Sequence, residues 1–348
     1  MKQKIIRGII FTTVLIIGFG ILCCLIYQEG WSEIVATLIN FGFIPFIGFV
    51  LISLINFGLY SLRWQLILNH HTGKDVNLSF WRMYKHRMAG FAVSYLTPFA
   101  QIGGEPVRIG MLISDKVDSK KATSSVTLDI AIELIAYISF IVAGIVLAII
   151  SGLSSGKSLI FIGIGLVVVL TILTAFLFEV AKGGGCISKL LSIKFFAHFK
   201  IIKKVRSWIA QMENMMCALL HTKKSFLFLI ALLAIVAISF RVVEVFYIAY
   251  FFGVELSFAQ AFLASTLPGI ALLLPVPAGL GFFEGGFSGL FVLLGIPLSA
   301  VAFALVIRMR DIIFITFGCA HILRHGRHVV QDVIKKRAYA NTIRKNNT

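Results

Sequence analysis

Residues 267–295 read LPGIALLLPVPAGLGFFEGGFSGLFVLLG, and the fold turns on how this stretch is interpreted. It is apolar enough to lie within a bilayer. Pro275, Pro277, Gly279 and Gly281 interrupt it, however, where a spanning helix needs an unbroken hydrogen-bond ladder. The pattern predicts two short half-helices around a broken middle, with Glu284 beside the start of the second. Irregular backbone at membrane depth is tolerated only where protein or a wet cavity covers it, and an ionisable residue there marks a functional pathway. The stretch therefore predicts the wall of a transport site.

Working outward, residues 95–108 read YLTPFAQIGGEPVR and repeat the idea. Pro98, Gly103 and Gly104 supply the break, and the offset from Pro98 to Glu105 equals that from Pro277 to Glu284. Two interrupted segments at corresponding places in two halves are the best sequence pointer to a transporter's binding site.

The rest of the chain fits a membrane protein. With 348 residues, 59% of them hydrophobic, there is far more apolar surface than one soluble core could hide. Against 15 Asp and Glu stand 32 Lys and Arg, a net charge of +17, but the basic residues cluster in loops and the tail. Such clustering fits anionic lipid headgroups and positive-inside topology, and argues against a nucleic-acid partner. The five cysteines form no CxxC, which predicts free thiols. The basic start and long apolar run of residues 1–27 predict an uncleaved first span.

Hydropathy and charge together predict an all-α polytopic membrane protein with about six spanning helices and two oppositely inserted re-entrant helical hairpins. The spans fall at about residues 5–27, 43–66, 122–150, 159–178, 226–252 and 298–323. The hairpins occupy about 88–112 and 258–295. Residues 28–42 read as an outside loop with no Lys or Arg, 80–92 and 208–220 as interfacial helices, and 182–206, with seven Lys or Arg and no acid, as cytoplasmic. Residues 1–323 then form one transmembrane domain and 324–348 a basic tail, with both termini cytoplasmic.

Charged residues inside apolar runs are the candidate functional groups. Asp129 and Glu133 share a helix face, and each costs roughly 2.5–3.5 kcal/mol at a helix centre, so a cavity or a cation should face them. Arg241 with Glu244, and Arg308 with Asp311, are spaced for local pairing. Structural ion pairs and a substrate path both remain open for them. Glu105 and Arg108 admit two readings. They pair and cap a half-helix start, or Arg108 holds a lipid phosphate while Glu105 or Glu284 takes a proton or an amine. Gly281, Gly285 and Gly289 have the spacing of a helix-packing stripe.

Enzyme signatures fail. SGLSSGKS at 151–158 lacks the first glycine of a phosphate loop, and Glu284 stands where a dinucleotide fingerprint needs glycine. His321, His325 and His328 share a helical face, but a basic helix end explains them without a metal. Neither cofactor nor metal is expected.

TPFAQIGGEPVRIGML resembles the motif PGxxGEPxRxxLL of the transmembrane region of bacterial lysylphosphatidylglycerol synthase/flippases, matching at Pro98, Gly104, Glu105, Pro106, Arg108 and Leu112. PVPAGLGFFEGG is similar to that family's PxPGGLGxxE, matching at Pro275, Pro277, Gly279, Leu280, Gly281 and Glu284. Arg63, Trp64 and Arg308 also fall where the pattern puts them. Departures are Ala278 in place of a glycine, and Asp129-Ile130 with Glu133 where the family often carries Glu-Arg-x-x-Asp. The soluble aminoacyl-transfer domain of the two-part synthases has no counterpart.

The resemblance implies a bacterial cell-membrane protein that moves or binds lipid without lysine transfer. The expectation is a flippase or transporter of a polar-headed lipid, whether phospholipid, aminoacyl-lipid or polyprenyl-linked glycolipid. Alternatives are an intramembrane headgroup transferase using Asp129 and Glu133 as acid and base, or a non-catalytic assembly partner in envelope lipid synthesis. Expected partners are membrane lipids, with a second copy of the chain and a lipid-synthesis enzyme as further candidates.

Overall fold

The computed structural model describes the backbone of residues 2–72, 78–97, 103–152, 223–274 and 276–346, and no strand occurs among them. Pro98, Pro275, the expected span at 159–178, the basic stretch 182–206 and the expected interfacial helix at 208–220 lie outside the described residues.

Helix α1 (Lys2–Glu29) meets α2 (Trp31–Phe41) at 82° across Gly30, whose φ of +84° only glycine adopts freely. The expected outside loop is thus helical. Its apolar residues have a packing partner that the absence of basic residues does not reveal: Ile34 is buried with Val301 and Ala302. Glu29 accepts hydrogen bonds from Ser299 Oγ at 2.5 Å and Val301 N–H at 3.3 Å, placing a carboxylate on the N-terminal end of α10 (Ala300–Asn346).

Among the described residues four segments are long and apolar enough to cross a membrane, Phe43–His70, Ser119–Leu147, Lys224–Phe251 and Pro277–Leu294, and a fifth results if the bent α1–α2 pair counts as one. The first three belong to α3 (Phe43–Thr72), α6 (Ser119–Ile150) and α7 (Lys224–Phe251), close to the expected spans. Asp118 caps α6 by accepting from Lys120 and Lys121 N–H. The expected last span is helical as the first part of α10, although Arg308, Arg310 and Asp311 sit in its apolar run.

Both predicted breaks are present. The first separates α4 (Phe80–Leu96) from α5 (Glu105–Ser114), which carries Pro106 in its first turn, where the missing N–H is not needed. Residues 80–92 do not form an interfacial helix. Met83, Tyr84, His86, Arg87 and Ala89 are buried, because α4 runs into the bundle against α10 and α3. The α4–α5 hairpin closes on glycine: Gly104 N–H donates to Ser94 Oγ at 2.8 Å, and a Cβ on Gly104 would lie 2.0 Å from Gly90 O.

The second break is longer. Helix α8 (Phe258–Thr266), started by a capping box between Ser257 and Gln260, gives way to 3-10 turns at Pro268–Leu273 and Pro277–Gly279 before α9 (Phe282–Leu294). Ala278, Gly279 and Gly281 all have positive φ. Aromatic rings of α8, α9 and α10, among them Phe262, Phe287, Phe291 and Phe303, form the largest core around this unit.

The outer ends of α4 and α5 lie beside His321 of α10, and the start of α8 lies beside the turn before Ala300. Arg82 and Asp115, at the outer ends of α4 and α5, pair at 2.6 Å, and His86 reaches His321 at 3.0 Å. Gln260, near the start of α8, donates to Leu294 O at 3.1 Å beside the α10 N-terminus. Ala300 and His321 are separated by roughly 30 Å at 1.5 Å rise per residue. Both breaks lie between these levels.

The glycine stripe is a packing surface in its first two members. A Cβ on Gly281 would lie 1.7 Å from Gly18 O of α1, one on Gly285 would contact Ile21, and one on Gly289 would meet nothing. Gly281→Ala, at φ +77°, is expected to lower the melting temperature of detergent-solubilised protein by the equivalent of about 1–3 kcal/mol, whereas Gly289→Ala leaves it unchanged or raised. Equal melting of the two variants would show that the α1–α9 contact is not tight.

Candidate functional site

Where the two breaks meet α3, α6, α7 and α10, the structure encloses a cavity of about 360 Å³. Its wall carries Arg87, Arg108, Arg241, Arg308 and Arg310 together with Glu105, Glu133, Glu244 and Asp311. So many ionisable groups between apolar helices persist only where each has a counter-charge or faces a polar space.

One side is built on Asp129, which is fully buried. Its Oδ1 accepts from Arg63 Nε at 2.9 Å and Nη2 at 2.8 Å, and its Oδ2 accepts from Arg87 Nη1 at 2.7 Å and Arg108 Nη2 at 2.6 Å. Glu133 Oε2 takes Arg87 Nη2 at 2.6 Å and Arg63 Nη2 at 3.2 Å, while 39% of its side chain stays exposed. Arg108 lies over the Trp64 ring at 4.0 Å, and Arg63 and Arg87 over Tyr60 at 5.3 and 5.0 Å. Three guanidinium groups thus share two carboxylates.

The other side is built on Glu284 and Arg308. Glu284, 1% exposed, accepts from Gly281 N–H at 2.8 Å and from Arg308 Nε at 2.8 Å. Arg308 Nη1 donates to Ala278 O at 2.6 Å and to Tyr95 OH. A break this deep exposes carbonyls that a helix would satisfy, and Arg308 supplies the donor. Arg310 pairs with Glu244 at 3.1 Å and Asp311 at 2.8 Å, and its Nη1 also reaches Ser53 Oγ.

Every charged residue singled out in the sequence is at this cavity or bonded to a group that lines it. The expected local pairs are not the ones formed. Glu244 pairs with Arg310 and not Arg241, Asp311 with Arg310 and not Arg308, and Arg108 with Asp129 and not Glu105. Long guanidinium side chains reach across helices to carboxylates that would otherwise be buried alone, and this outweighs a neighbour three positions away. Two charged groups are left over. Arg241 lies over Tyr137 at 5.6 Å and has no carboxylate within ion-pair range among the described residues. Glu105 Oε2 is buried without a hydrogen-bond partner.

Sequence reasoning misses Arg87, which reads as the basic face of an interfacial helix, and Arg310, overshadowed by Arg308. Their signal is a basic residue inside an apolar helical run. Pro277, Gly279 and Gly281 form the second break, and Gly103 and Gly104 end the first. His321 and His325 face His86, which is 2.8 Å from Asp115 Oδ2, and no cluster of three or more His, Cys, Asp or Glu suited to a metal occurs among the described residues.

The profile of the family described as "Lysylphosphatidylglycerol synthase TM region" matches residues 8–319, a range that contains every charged group of the cavity. The chain belongs to this family. It is accordingly a multi-pass membrane protein of the lysylphosphatidylglycerol synthase TM-region type, a membrane domain linked to lipid handling. A protein of Methanothermobacter thermautotrophicus, described as "UPF0104 membrane protein", is 24% identical over 335 residues, covering 92% of this chain and 97% of that one. No solved structure matches. The second break of this chain carries Ala278 at a left-handed position, φ +57°, where a glycine would be unstrained.

Proposed function

We propose that this member of the TM-region family is a lipid flippase or transporter that moves a polar-headed lipid between leaflets. The headgroup passes through the charged cavity and the acyl chains stay in the bilayer. The observation that carries the reading is the cavity itself, whose volume of about 360 Å³ lies at the low end of the roughly 300–1,000 Å³ range that holds small ligands.

In this reading the α4–α5 and α8–α9 hairpins are re-entrant from opposite faces, within a frame of about six spans in a bacterial plasma membrane. The basic ends at Arg82, Lys85, Lys120 and Lys121, and with them both termini, face the cytoplasm. Anionic lipid headgroups then bind at that face, and a second copy of the chain and a lipid-synthesis enzyme are candidate partners. An intramembrane transferase would use Asp129 and Glu133 as acid and base. Asp129, with both oxygens each accepting two guanidinium hydrogen bonds, is poorly placed to exchange a proton, which favours transport.

The test is purified protein in vesicles, with acyl-labelled phospholipids, glycolipids and polyprenyl phosphates followed across the bilayer. Wild type accelerates at least one of them over empty vesicles. Ser265→Trp, which places a large side chain in the cavity without altering a charge, slows that movement by at least about tenfold, the effect of about 1.4 kcal/mol on the barrier. Acceleration of none of these lipids, or full activity in a folded Ser265→Trp protein, would rule the reading out.

A further inference from the structure

We infer that Arg241 and Glu105 are the two headgroup seats of the cavity, phosphate on Arg241 and a primary ammonium on Glu105. The lipid accepted is then a zwitterionic phospholipid carrying one of each. The inference rests on the transport reading of the same cavity.

The argument is a count of commitments. Arg87, Arg108, Arg308 and Arg310 each bond a carboxylate of the protein. Arg241 does not: it has the Tyr137 ring on one side and the cavity on the other. A guanidinium held between apolar helices, with Glu133 and Glu244 near but no carboxylate at ion-pair distance, can accept an anion entering beside it, and its planar fork suits phosphate oxygens.

On the acidic side, Asp311 and Glu244 are bonded to Arg310, and Glu133 Oε2 to Arg87 and Arg63. Glu105 differs. It opens α5 at the first break, its Oε2 has no partner, and Arg108 one turn on is turned away to Asp129. Glu133, with 39% of its side chain exposed, adds negative charge to the same wall.

One unmatched cation and one unmatched carboxylate complement a ligand that is itself a dipole. An anionic headgroup would satisfy Arg241 and bring a second negative group, or none, to Glu105. An ammonium satisfies Glu105, and its N–H groups can donate to Oε2.

The experiment uses the full chain in vesicles containing acyl-labelled phosphatidylethanolamine or phosphatidylglycerol. Native mass spectrometry of lipids retained on the purified protein runs in parallel. Wild type is expected to move and retain phosphatidylethanolamine at least about tenfold better, since phosphatidylglycerol ends in an uncharged glycerol that leaves the Glu105 carboxylate without a cation. Glu105→Gln brings the two lipids to near-equal rates. Arg241→Gln slows both, and Arg241→Lys, which keeps the charge but not the planar fork, slows both to a lesser degree; unchanged movement in either folded variant overturns the phosphate seat.

Equal handling of the two lipids by wild type, or an undiminished preference in Glu105→Gln, overturns the inference while leaving transport intact. Movement of neither lipid, with retention that still discriminates and depends on Glu105 and Arg241, overturns transport and sustains the two seats. Retention of soluble phosphoethanolamine with no retained lipid overturns the lipid assignment.

Discussion

Asp129→Asn is expected to abolish accumulation of folded protein, the largest loss of any single substitution in this chain. The carboxylate is fully buried and accepts four hydrogen bonds from Arg63, Arg87 and Arg108. With it, three guanidinium groups face two carboxylates; without it, they face Glu133 alone. An asparagine of the same shape makes matters worse locally, because its amide nitrogen points donors at donors. Removing one partner of a buried ion pair costs about 3–5 kcal/mol, and here one residue serves three partners, against a total stability of about 5–15 kcal/mol for a typical domain. The measurement is the monodisperse fraction of a fluorescently tagged protein after detergent extraction. Glu133→Gln should be far milder, since its side chain is partly open to the cavity and Arg63 and Arg87 retain Asp129. Wild-type accumulation and melting of Asp129→Asn would mean that the arginines are neutralised by something other than this carboxylate.

The legibility of the chain follows the same physics. Both breaks are visible in sequence because Pro277, Gly279 and Gly281, and Gly103 with Gly104, cluster within a few residues beside a carboxylate inside an apolar run. Glu284 is legible because a carboxylate three residues after a left-handed glycine has an N–H within reach, here Gly281 at 2.8 Å. Partner choice is illegible. Spacing along one helix offers Arg308 to Asp311 and Arg241 to Glu244, but a guanidinium reaches several ångströms across an interface, and which carboxylate waits there depends on packing that no local pattern encodes. Arg87 hides for a related reason: basic residues among apolar ones look the same on an interfacial helix as on one buried against an acid. Helix α2 hides because its residues are few and include no Lys or Arg, and its burial against Val301 and Ala302 comes from a distant part of the chain.

Arg308→Lys should fail to replace the native residue, and the failure should be specific to the second break. Arg308 uses its fork at three points at once, Glu284 Oε1, Ala278 O and Tyr95 OH, tying α10 to the broken segment and to the end of α4. A lysine ammonium is a single point on a flexible stem and cannot hold all three in one plane, so about 1–3 kcal/mol should be lost as hydrogen bonds to charged groups disappear. Arg308→Ala should lose about 3–5 kcal/mol, because Glu284 is then left 1% exposed with only the Gly281 N–H. Adding Glu284→Ala to Arg308→Ala should recover part of that loss, with a coupling of about 1–3 kcal/mol, but not all of it, since Ala278 O remains without a donor. Tyr95→Phe, which removes one neutral partner, should cost about 1 kcal/mol and leave the Glu284 pair standing. Melting of these four variants and of the Glu284→Ala single in one detergent gives the comparison. Strict additivity of Arg308→Ala and Glu284→Ala would show that the salt bridge contributes nothing, and the broken segment would then have to be held in place by the aromatic core around Phe287 and Phe303 alone.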